Sequence, residues 1–289
     1  MKEIVKEKIA SLLSGDEEIQ SVEQLGGMTN QNYLVQTSSN QYIVKFFGKG
    51  TEKLIDRQNE KFNIELLKDL ELDVENYLFD IEAGIKVNQY IENAETLNLD
   101  TIKTRFEKIA PILQTIHASG KELKGEFAPF EEIKKYESLI QGEISYPNYE
   151  AVRKAVFSLK EELEQIGIEK KSCHIDLVPE NFIEGPDGHP YLIDWEYSSM
   201  NDPMWDLAAL FLESEFTPEE EADFLAYYES DKTPVSREKI RIYKILQDII
   251  WSLWTIYKEE NGADFGDYGI SRYNRAVKEL DFKGGSHEN

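Results

Sequence analysis

Two short segments carry the most informative chemistry of this chain: residues 174–181 read His-Ile-Asp-Leu-Val-Pro-Glu-Asn, and residues 193–197 read Ile-Asp-Trp-Glu-Tyr. Asp176 stands five positions before Asn181, and Asp194 follows directly after an apolar run. Carboxylate and amide oxygens suit the hard cation Mg²⁺, and an ionised carboxylate can hydrogen-bond an attacking hydroxyl. The two segments are therefore the first candidates for a reaction site. The alternative is a turn with an N-cap aspartate and an incidental asparagine.

The interval between Asp176 and Asn181 resembles the catalytic loop of protein kinases. In such loops one carboxylate faces the substrate hydroxyl, while the amide and a second carboxylate hold Mg²⁺. The resemblance implies that Asp176, Asn181 and Asp194 are catalytic and that Asn181 and Asp194 are the metal ligands. Asp-Trp-Glu-Tyr replaces the Asp-Phe-Gly of protein kinases, and no activation segment ending in Ala-Pro-Glu follows. Protein-kinase activity is therefore disfavoured.

Composition describes a soluble globular chain of 289 residues, with 40% hydrophobic and 30% charged residues. The net charge of −24 disfavours binding to nucleic acid or an anionic membrane. It favours a cationic substrate, but on charge alone an acidic surface that only maintains solubility is an equally good interpretation. The N-terminus has no signal-peptide pattern, and no apolar run is long enough to span a membrane. Cys173 is the single cysteine, so neither an internal disulfide nor a cysteine-built zinc site is expected. These features predict a cytoplasmic protein. They leave open whether it is a monomer or a homodimer.

Hydrophobic periodicity divides the chain into two regions. Residues 1–90 contain short strand patterns, with a turn at residues 38–40 that predicts a hairpin, an early helical pattern at 2–14 and an inserted one at 52–70. Residues 91–283 contain mainly helical patterns, among them 203–213 and 218–228. Residues 284–289 have the composition of a flexible tail. We therefore predict an α+β chain with two lobes, a β-rich N-lobe on an antiparallel sheet and a helical C-lobe, hinged near residues 88–91 with a cleft between them.

Residues of the first region are candidates for nucleotide binding. A glycine pair, Gly26-Gly27, lies in a turn between two strand patterns and precedes Thr29 and Asn30, where backbone N–H groups can face a phosphate. Such a turn is usually only a turn. Lys45 resembles the strand lysine that contacts nucleotide phosphates, and Glu60 on the following helix is its expected ion-pair partner, with Glu65 second.

Taken together, these residues resemble the choline/ethanolamine kinases and their relatives, the aminoglycoside phosphotransferases, from about Gly26 to Tyr268. The motifs that carry the resemblance are Gly26-Gly27-x-Thr29-Asn30, His174-x-Asp176-x-x-x-x-Asn181 and Ile193-Asp194-Trp195-Glu196-Tyr197, followed by Asn201 and Asp206. The Asp-x-Glu-Tyr form is typical of choline kinases, and the chain is most similar to bacterial members that supply phosphocholine for surface glycans. The resemblance implies a kinase-like fold and ATP- and Mg²⁺-dependent phosphorylation of choline, with Asp176 as the base.

The family also implies a role for particular residues in binding each substrate. The backbone of Gln89, Tyr90 and Ile91 is expected to face adenine. The choline pocket is expected to include the following side chains: Asp176, Glu196, Tyr197, Trp205, Glu213, Trp251, Trp254 and Tyr268. The residues themselves support an aromatic pocket, because a quaternary ammonium has no N–H and each ring face contributes about 0.5–2 kcal/mol to a desolvated cation. Without the catalytic motif, the spacing of Trp251 and Trp254 would be read as ordinary helix core.

Alternative functions stay open at this point. A kinase of the same fold could act on ethanolamine, another amino alcohol or an aminoglycoside, although those substrates carry N–H groups that call for oxygen acceptors. A binding protein for choline without catalytic activity is the other alternative, and the complete set of acidic, amide and lysine side chains disfavours it.

Overall fold

The computed structural model describes residues 2–9, 12–13, 17–26, 30–48 and 50–280. Gly27, Thr29 and the predicted tail at 284–289 lie outside the described residues. Contacts between residues divide the chain into two compact units. Unit 1 comprises the described part of residues 1–112 together with Pro179–Tyr197, and unit 2 comprises Leu113–Val178 together with the described part of residues 198–289.

Unit 1 is built on an antiparallel sheet of five strands in the order β1-β2-β3-β5-β4. The strands are β1 (Ile19–Gln24), β2 (Gln31–Thr37), β3 (Gln41–Phe46), β4 (Asn76–Asp80) and β5 (Ile85–Gln89). The predicted hairpin at residues 38–40 is confirmed: Thr37 N donates to Asn40 O at 2.9 Å where β2 turns into β3. Among the described residues before residue 100, the α-helices of this unit are α1 (Lys2–Ile9) and α2 (Arg57–Leu67).

The core of unit 1 lies on one face of the sheet. Because side chains alternate across a strand, Val35 of β2, Val44 of β3 and Val87 of β5 point the same way, and all three have no exposed surface. Val5 and Ile9 of α1 pack in the same cluster. Burial of this apolar surface holds the short N-terminal helix to the sheet.

Helix boundaries differ from the predicted ones where a capping residue decides them. The helical pattern predicted from residue 52 becomes a short 3₁₀ turn, Thr51–Lys53, and α2 begins only after Asp56. The Asp56 carboxylate accepts from Gln58 N and Asn59 N, which satisfies two N–H groups that have no partner within the helix. The predicted first helix is present as α1, Lys2–Ile9, and residues 10, 11 and 14 of the predicted helix lie outside the described residues.

A second small sheet in unit 1 contains residues that the sequence placed in the other lobe. Its strands are β6 (Glu95–Thr96), β8 (Phe182–Glu184) and β9 (Pro190–Leu192), in the order β6-β8-β9. Since β6 pairs with β8 across a long sequence interval, the division between the units does not fall at the predicted residue 90. It falls after residue 112 and returns at residues 179–197.

Unit 2 is mainly helical and also contains a two-stranded sheet, β7 (Lys171–Cys173) with β10 (Ser199–Asn201). Its complete helices are α4 (Pro129–Leu139), α5 (Tyr149–Ile166), α6 (Pro203–Glu213), α7 (Pro218–Tyr228), α8 (Arg237–Glu260) and α9 (Tyr268–Glu279). Helix α3 (Phe106–Ala118) crosses the boundary between the units in sequence. No helix among the described residues has both the length and the apolar character needed to cross a membrane.

Candidate functional site

The loop that carries Asp176 is held in a strained conformation. Ile175 has φ 79°, a value that a β-branched residue seldom adopts and that costs about 1–3 kcal/mol. Asp206, in the first turn of α6, accepts hydrogen bonds from His174 N and Ile175 N, each at 2.8 Å. Trp205 Nε1 donates to Ile175 O at 3.0 Å. Helix α6 thus fixes the backbone immediately before Asp176.

Asp206 is itself held by a buried histidine. His117 Nε2 of α3 lies 3.0 Å from Asp206 Oδ2, and His117 Nδ1 lies 2.7 Å from the Tyr228 hydroxyl. Asp206 and Tyr228 are fully buried, and His117 is 2% exposed. Cys173 lies close enough to His117 and Asp206 for the three to form a metal-ligand set. Since both imidazole nitrogens already have partners, and burial raises the pKa of the Cys173 thiol well above its usual range, the cluster fits a structural network better than a metal site.

Trp205 was predicted to line the choline pocket, and the structure corrects this prediction. It is fully buried, packs against Phe127 at a ring-centroid distance of 4.9 Å and against Tyr243 at 5.8 Å. Its indole therefore cannot touch a substrate. The residue acts on the loop through its hydrogen bond to Ile175 O.

Asn181 and Asp194 lie in unit 1 and are joined through the backbone. Asn181 is 8% exposed and belongs to the short 3₁₀ helix Pro179–Asn181, and its carbonyl accepts from Ile193 N at 2.8 Å. Asp194 has φ 69°, the left-handed conformation that Asp tolerates better than most residues. The fold therefore brings the amide and the carboxylate that the motif singled out to adjoining backbone positions.

The partner of Lys45 differs from the predicted one. Lys45 Nζ lies 2.6 Å from Asp194 Oδ1, whereas Glu60 pairs with Lys86 Nζ at 2.6 Å and with Arg57 Nη1 at 2.6 Å. Burial opposes ionisation of Glu60, but the two cations outweigh burial and its pKa is lowered. Lys86 of β5, 2% exposed, takes the place beside Glu60 that Lys45 was expected to fill. The second candidate partner, Glu65, is exposed on α2.

The predicted place of Glu196 in the choline pocket is also corrected, because its side chain is buried against Arg57 and Asn30 within unit 1. Its Oε2 accepts from Arg57 Nη1 at 2.9 Å and from Asn30 Nδ2 at 2.7 Å. Burial raises its pKa, and the negative charge of Asp194 adds to the rise. Glu196 therefore ties Asn30, just after the glycine turn, to α2, and its carboxylate is not available to a choline ammonium.

The other nucleotide-site residues are placed as follows. Gly26 is exposed, and Asn30 is 6% exposed. Gln89 ends β5, where its N donates to Glu75 O at 2.8 Å, and Tyr90 and Ile91 follow with partial exposure. Tyr197, in the 3₁₀ helix Trp195–Tyr197, is partly exposed.

Asp73 is a site candidate that sequence reasoning missed. It lies just before β4 and belongs to no recognisable motif, but its carboxylate interacts with the charges of Lys86, Asp194 and Lys45. Burial raises its pKa to about 7, and Asp194 contributes to the rise. A lone aspartate ahead of a strand gives no sequence signal for such a position.

Four of the residues predicted for the choline pocket form two groups of contacts in unit 2. Trp251 and Trp254 of α8 meet edge-on with ring centroids 6.3 Å apart, and Trp254 also packs against Phe265 at 5.0 Å. Glu213 and Tyr268 are joined by Arg272 of α9, whose Nη1 lies 2.5 Å from Glu213 Oε1 and 2.7 Å from the Tyr268 hydroxyl. Arg272 was not among the predicted site residues.

Asp176 shares its surroundings with two tyrosines. Burial raises the pKa of Tyr268 to about 12, with smaller contributions from neighbouring charges that include Asp176. Burial likewise raises the pKa of Tyr136 of α4 well above its usual range, and Asp176 again contributes. Tyr268 therefore lies within electrostatic reach of the proposed base. Tyr136, 1% exposed, is a second residue that the sequence did not suggest.

Comparison with protein families gives one matching model, described as choline/ethanolamine kinase, over residues 22–241. Among curated proteins, the chain is 32% identical over 272 residues to protein LicA of Haemophilus influenzae, a match that covers 89% of this chain and 79% of that protein.

Solved structures give a full-length match. The crystal structure of choline kinase LicA from Streptococcus pneumoniae superimposes with a TM-score of 0.94 and 75% sequence identity, covering 97% of this chain and 99% of that one. A structure of LicA in complex with AMP has a TM-score of 0.91 and 76% identity, covering 96% of this chain and 97% of that one. The α+β fold with a sheet region and a helical region, predicted from hydrophobic periodicity, and its kinase-like character, implied by the resemblance, are confirmed.

Proposed function

Since the chain belongs to the choline/ethanolamine kinase family, we propose that it transfers the terminal phosphoryl group of ATP to the hydroxyl oxygen of choline. The chain is a phosphotransferase and acts on a small molecule. The observation that supports choline as the substrate is the full-length similarity of this chain to a choline kinase. The acid and amide side chains of residues 174–197 support the same reaction.

Nucleotide binding draws on unit 1. We infer that Lys45 contacts the phosphates of ATP and that Gly26 and Asn30 lie beside them. The backbone of residues 89–91 faces the adenine ring. The AMP complex of a relative supports a nucleotide site of this kind. Glu60 supports the site indirectly, because its own partners are Lys86 and Arg57.

A magnesium ion fits the oxygen atoms of two side chains in unit 1. Asn181 offers an amide oxygen and Asp194 a carboxylate, the ligand types that Mg²⁺ prefers. When bound, the ion neutralises negative charge on the transferring phosphoryl group. Lys45 Nζ lies 2.6 Å from Asp194 Oδ1 and offsets the charge of that carboxylate. Asn181 and Asp194 are therefore the residues that we assign to the metal.

Asp176 acts as the base in this proposal. Its carboxylate accepts the proton of the choline hydroxyl as that oxygen bonds to the terminal phosphorus, and the bond from phosphorus to the bridging oxygen breaks to release ADP. Proton transfer demands a base at hydrogen-bond distance. The hydrogen bonds from His174 N and Ile175 N to Asp206 hold the loop backbone for that purpose.

The trimethylammonium group is recognised by aromatic faces in unit 2. We assign this role to Trp251, Trp254 and Tyr268, with Glu213 beside them, because such a cation has no N–H to donate and ring faces attract it. Cationic side chains of the protein already approach two of these rings: Lys258 Nζ lies 5.8 Å from the Trp254 centroid, and Arg272 Cζ lies 5.3 Å from that of Tyr268. Choline must therefore bind to the remaining faces.

A substrate panel tests the proposed function. Purified protein with ATP and Mg²⁺ is offered choline, ethanolamine or kanamycin, and the phosphorylated product is identified by mass spectrometry. We expect phosphocholine as the main product. Phosphorylation of kanamycin in place of choline would indicate an aminoglycoside phosphotransferase, and absence of any phosphorylated alcohol would contradict phosphotransfer. The cytoplasmic location and a role for the product in surface glycans stay predictions.

A further inference from the structure

Arg272 stands between two of the side chains assigned to the choline pocket. The same guanidinium nitrogen, Nη1, donates to Glu213 Oε1 and to the Tyr268 hydroxyl oxygen. The Arg272 side chain is 4% exposed and Glu213 is 19% exposed. A buried guanidinium with this placement is not an incidental surface partner, because a rigid fork of donors holds both acceptors in one geometry.

The charges around Arg272 balance within the protein. Arg272 Nε lies 3.1 Å from Asp248 Oδ1, and Asp248 is held on its other side by Arg275, which donates to both carboxylate oxygens at 2.6 Å. Glu213 and Asp248 thus face Arg272 and Arg275. Burial disfavours the charged form of Arg272, but Glu213 and its neighbours outweigh burial and raise its pKa. Glu213 is therefore a compensated carboxylate and not a free counter-ion.

Two oxygen acceptors are consequently engaged by the protein itself. Glu213 Oε1 receives one N–H of Arg272, and the phenol oxygen of Tyr268 receives the other contact. The Tyr268 phenol stays neutral at physiological pH, since burial raises its pKa to about 12. Glu213 and Tyr268 therefore leave a substrate cation the ring of Tyr268 and one carboxylate oxygen, whose charge Arg272 already offsets.

Choline and ethanolamine differ in the group that would meet this surface. The trimethylammonium group has no N–H, whereas a primary ammonium has three, and a buried donor without an acceptor loses the hydrogen bonds that it made in water. We propose that Arg272 is a specificity-determining residue: by engaging Glu213 Oε1 and the Tyr268 hydroxyl, it withholds acceptors from substrate N–H groups and so favours choline over ethanolamine. The inference rests on the proposed choline phosphotransfer.

The test compares substrates that differ only in N-methylation. The values of kcat/KM for ethanolamine, N,N-dimethylethanolamine and choline are measured for the wild-type protein and for Arg272→Met and Arg272→Gln, with folding checked by circular dichroism. In the variants we expect the ratio of ethanolamine to choline to rise about tenfold or more, through a lower KM for ethanolamine, a factor that corresponds to about 1.4 kcal/mol. A ratio that is unchanged or lower in a folded variant would overturn the proposal.

Two control variants distinguish an effect of the Glu213 carboxylate from the effect of removing a positive charge from α9. Arg275→Gln removes the neighbouring cation of α9, whose hydrogen bonds go to Asp248, and we expect its substrate ratio to match the wild type. The double variant Arg272→Met, Glu213→Met removes the acceptor as well, so the gain for ethanolamine should disappear. A gain that persists in the double variant would show that Glu213 is not the acceptor.

The wild-type protein provides a test that does not depend on folding of any variant. A kcat/KM for ethanolamine equal to that for choline would contradict the inference, even though phosphotransfer to an amino alcohol would stand. Failure to phosphorylate either substrate would instead contradict the proposed function. A clear preference for choline that increases with each N-methyl group is the result we expect.

Discussion

Asp206 Oδ1 accepts a hydrogen bond from Ile175 N at 2.8 Å, which joins the first turn of α6 to the residue before the proposed base. Asp206 Oδ2 accepts from His174 N at the same distance. Two consecutive N–H groups of the loop therefore end on one buried carboxylate. This arrangement gives the left-handed conformation of Ile175 its support, because the strain is offset by hydrogen bonds that a relaxed loop would lose.

Substitution Asp206→Asn should weaken both the loop and the fold. The amide offers one acceptor oxygen, so one buried N–H is left without its partner at a cost of about 1–3 kcal/mol. We expect kcat to fall at least tenfold (about the effect of a misplaced base), with little change in the choline KM. Asp202→Asn is the matched control, since Asp202 is equally buried and caps the same helix. Equal losses of kcat in both variants would assign the effect to α6 as a whole.

Substitution Asp176→Asn should remove turnover and keep choline binding. An amide cannot accept the hydroxyl proton, and loss of a general base lowers rates by about 100-fold or more. Steady-state kinetics and calorimetric titration with choline measure the two effects separately. Glu180→Gln, an exposed acid in the same loop, should behave like the wild type. Wild-type turnover in Asp176→Asn would remove Asp176 from the proposed role.

Substitution Trp254→Leu should raise the choline KM far more than the ATP KM. Leucine keeps apolar bulk against Phe265 but has no ring face for a cation, and the expected increase is about tenfold. The matched control for this variant is Trp205→Phe, which changes a fully buried tryptophan. It should lower the thermal midpoint and kcat and leave the choline KM near the wild-type value. Parallel increases of both KM values in Trp254→Leu would identify it as a packing residue.

Substitution Lys45→Met tests which lysine of the sheet contacts phosphate. Lys45 pairs with Asp194, whereas Lys86 pairs with Glu60. We expect Lys45→Met to raise the ATP KM by about tenfold or more, because a charge-assisted contact to phosphate is lost. Lys86→Met should instead destabilise the protein by about 3 kcal/mol, the usual effect of breaking a buried pair. The opposite pattern would exchange the two assignments.

Substitution Glu60→Gln should remove a stabilisation that depends on pH. The pKa of Glu60 is lowered in the folded protein, because Lys86 and Arg57 outweigh burial. A lowered carboxyl pKa stabilises the fold above the unfolded pKa of about 4.3, and the contribution is lost as pH falls through the folded value. The difference in unfolding free energy between wild type and variant should therefore be largest near neutral pH and shrink in acid. Glu65→Gln, on the exposed face of α2, should show no such dependence.

Local patterns predicted the elements well because their causes are local. Alternation along β2 and β3 and the turn at residues 38–40 follow from neighbouring residues, and the structure has that hairpin. The helices α6 and α7 begin and end at the predicted residues, since Pro203 and Pro218 stand at their first positions. Where the cap was not recognised, as at Asp56, the predicted boundary was wrong.

Partners could not be predicted in the same way. Lys45 and Asp194 are separated by 149 positions, and no periodicity indicates which of several acids a lysine will meet. The same limit led to the wrong partner for Glu60 and to a substrate role for Trp205. An indole on an amphipathic helix is compatible with both core and pocket until the packing of other helices against it is known.

The order and spacing of Asp176, Asn181 and Asp194, on the loop at residues 174–181 and just after β9, were sufficient to predict the family and its reaction, because phosphoryl transfer calls for carboxylate and amide oxygens and these motifs resemble those of kinases. Only the tertiary structure decided how that loop is held and which charges are compensated. The hydrogen bond from Ile175 N to Asp206 and the ion pair of Glu213 with Arg272 each join residues that lie far apart in the sequence. Such contacts depend on how the apolar faces pack, because a charge that packing buries is stable only when an opposite charge or a hydrogen-bond partner lies beside it.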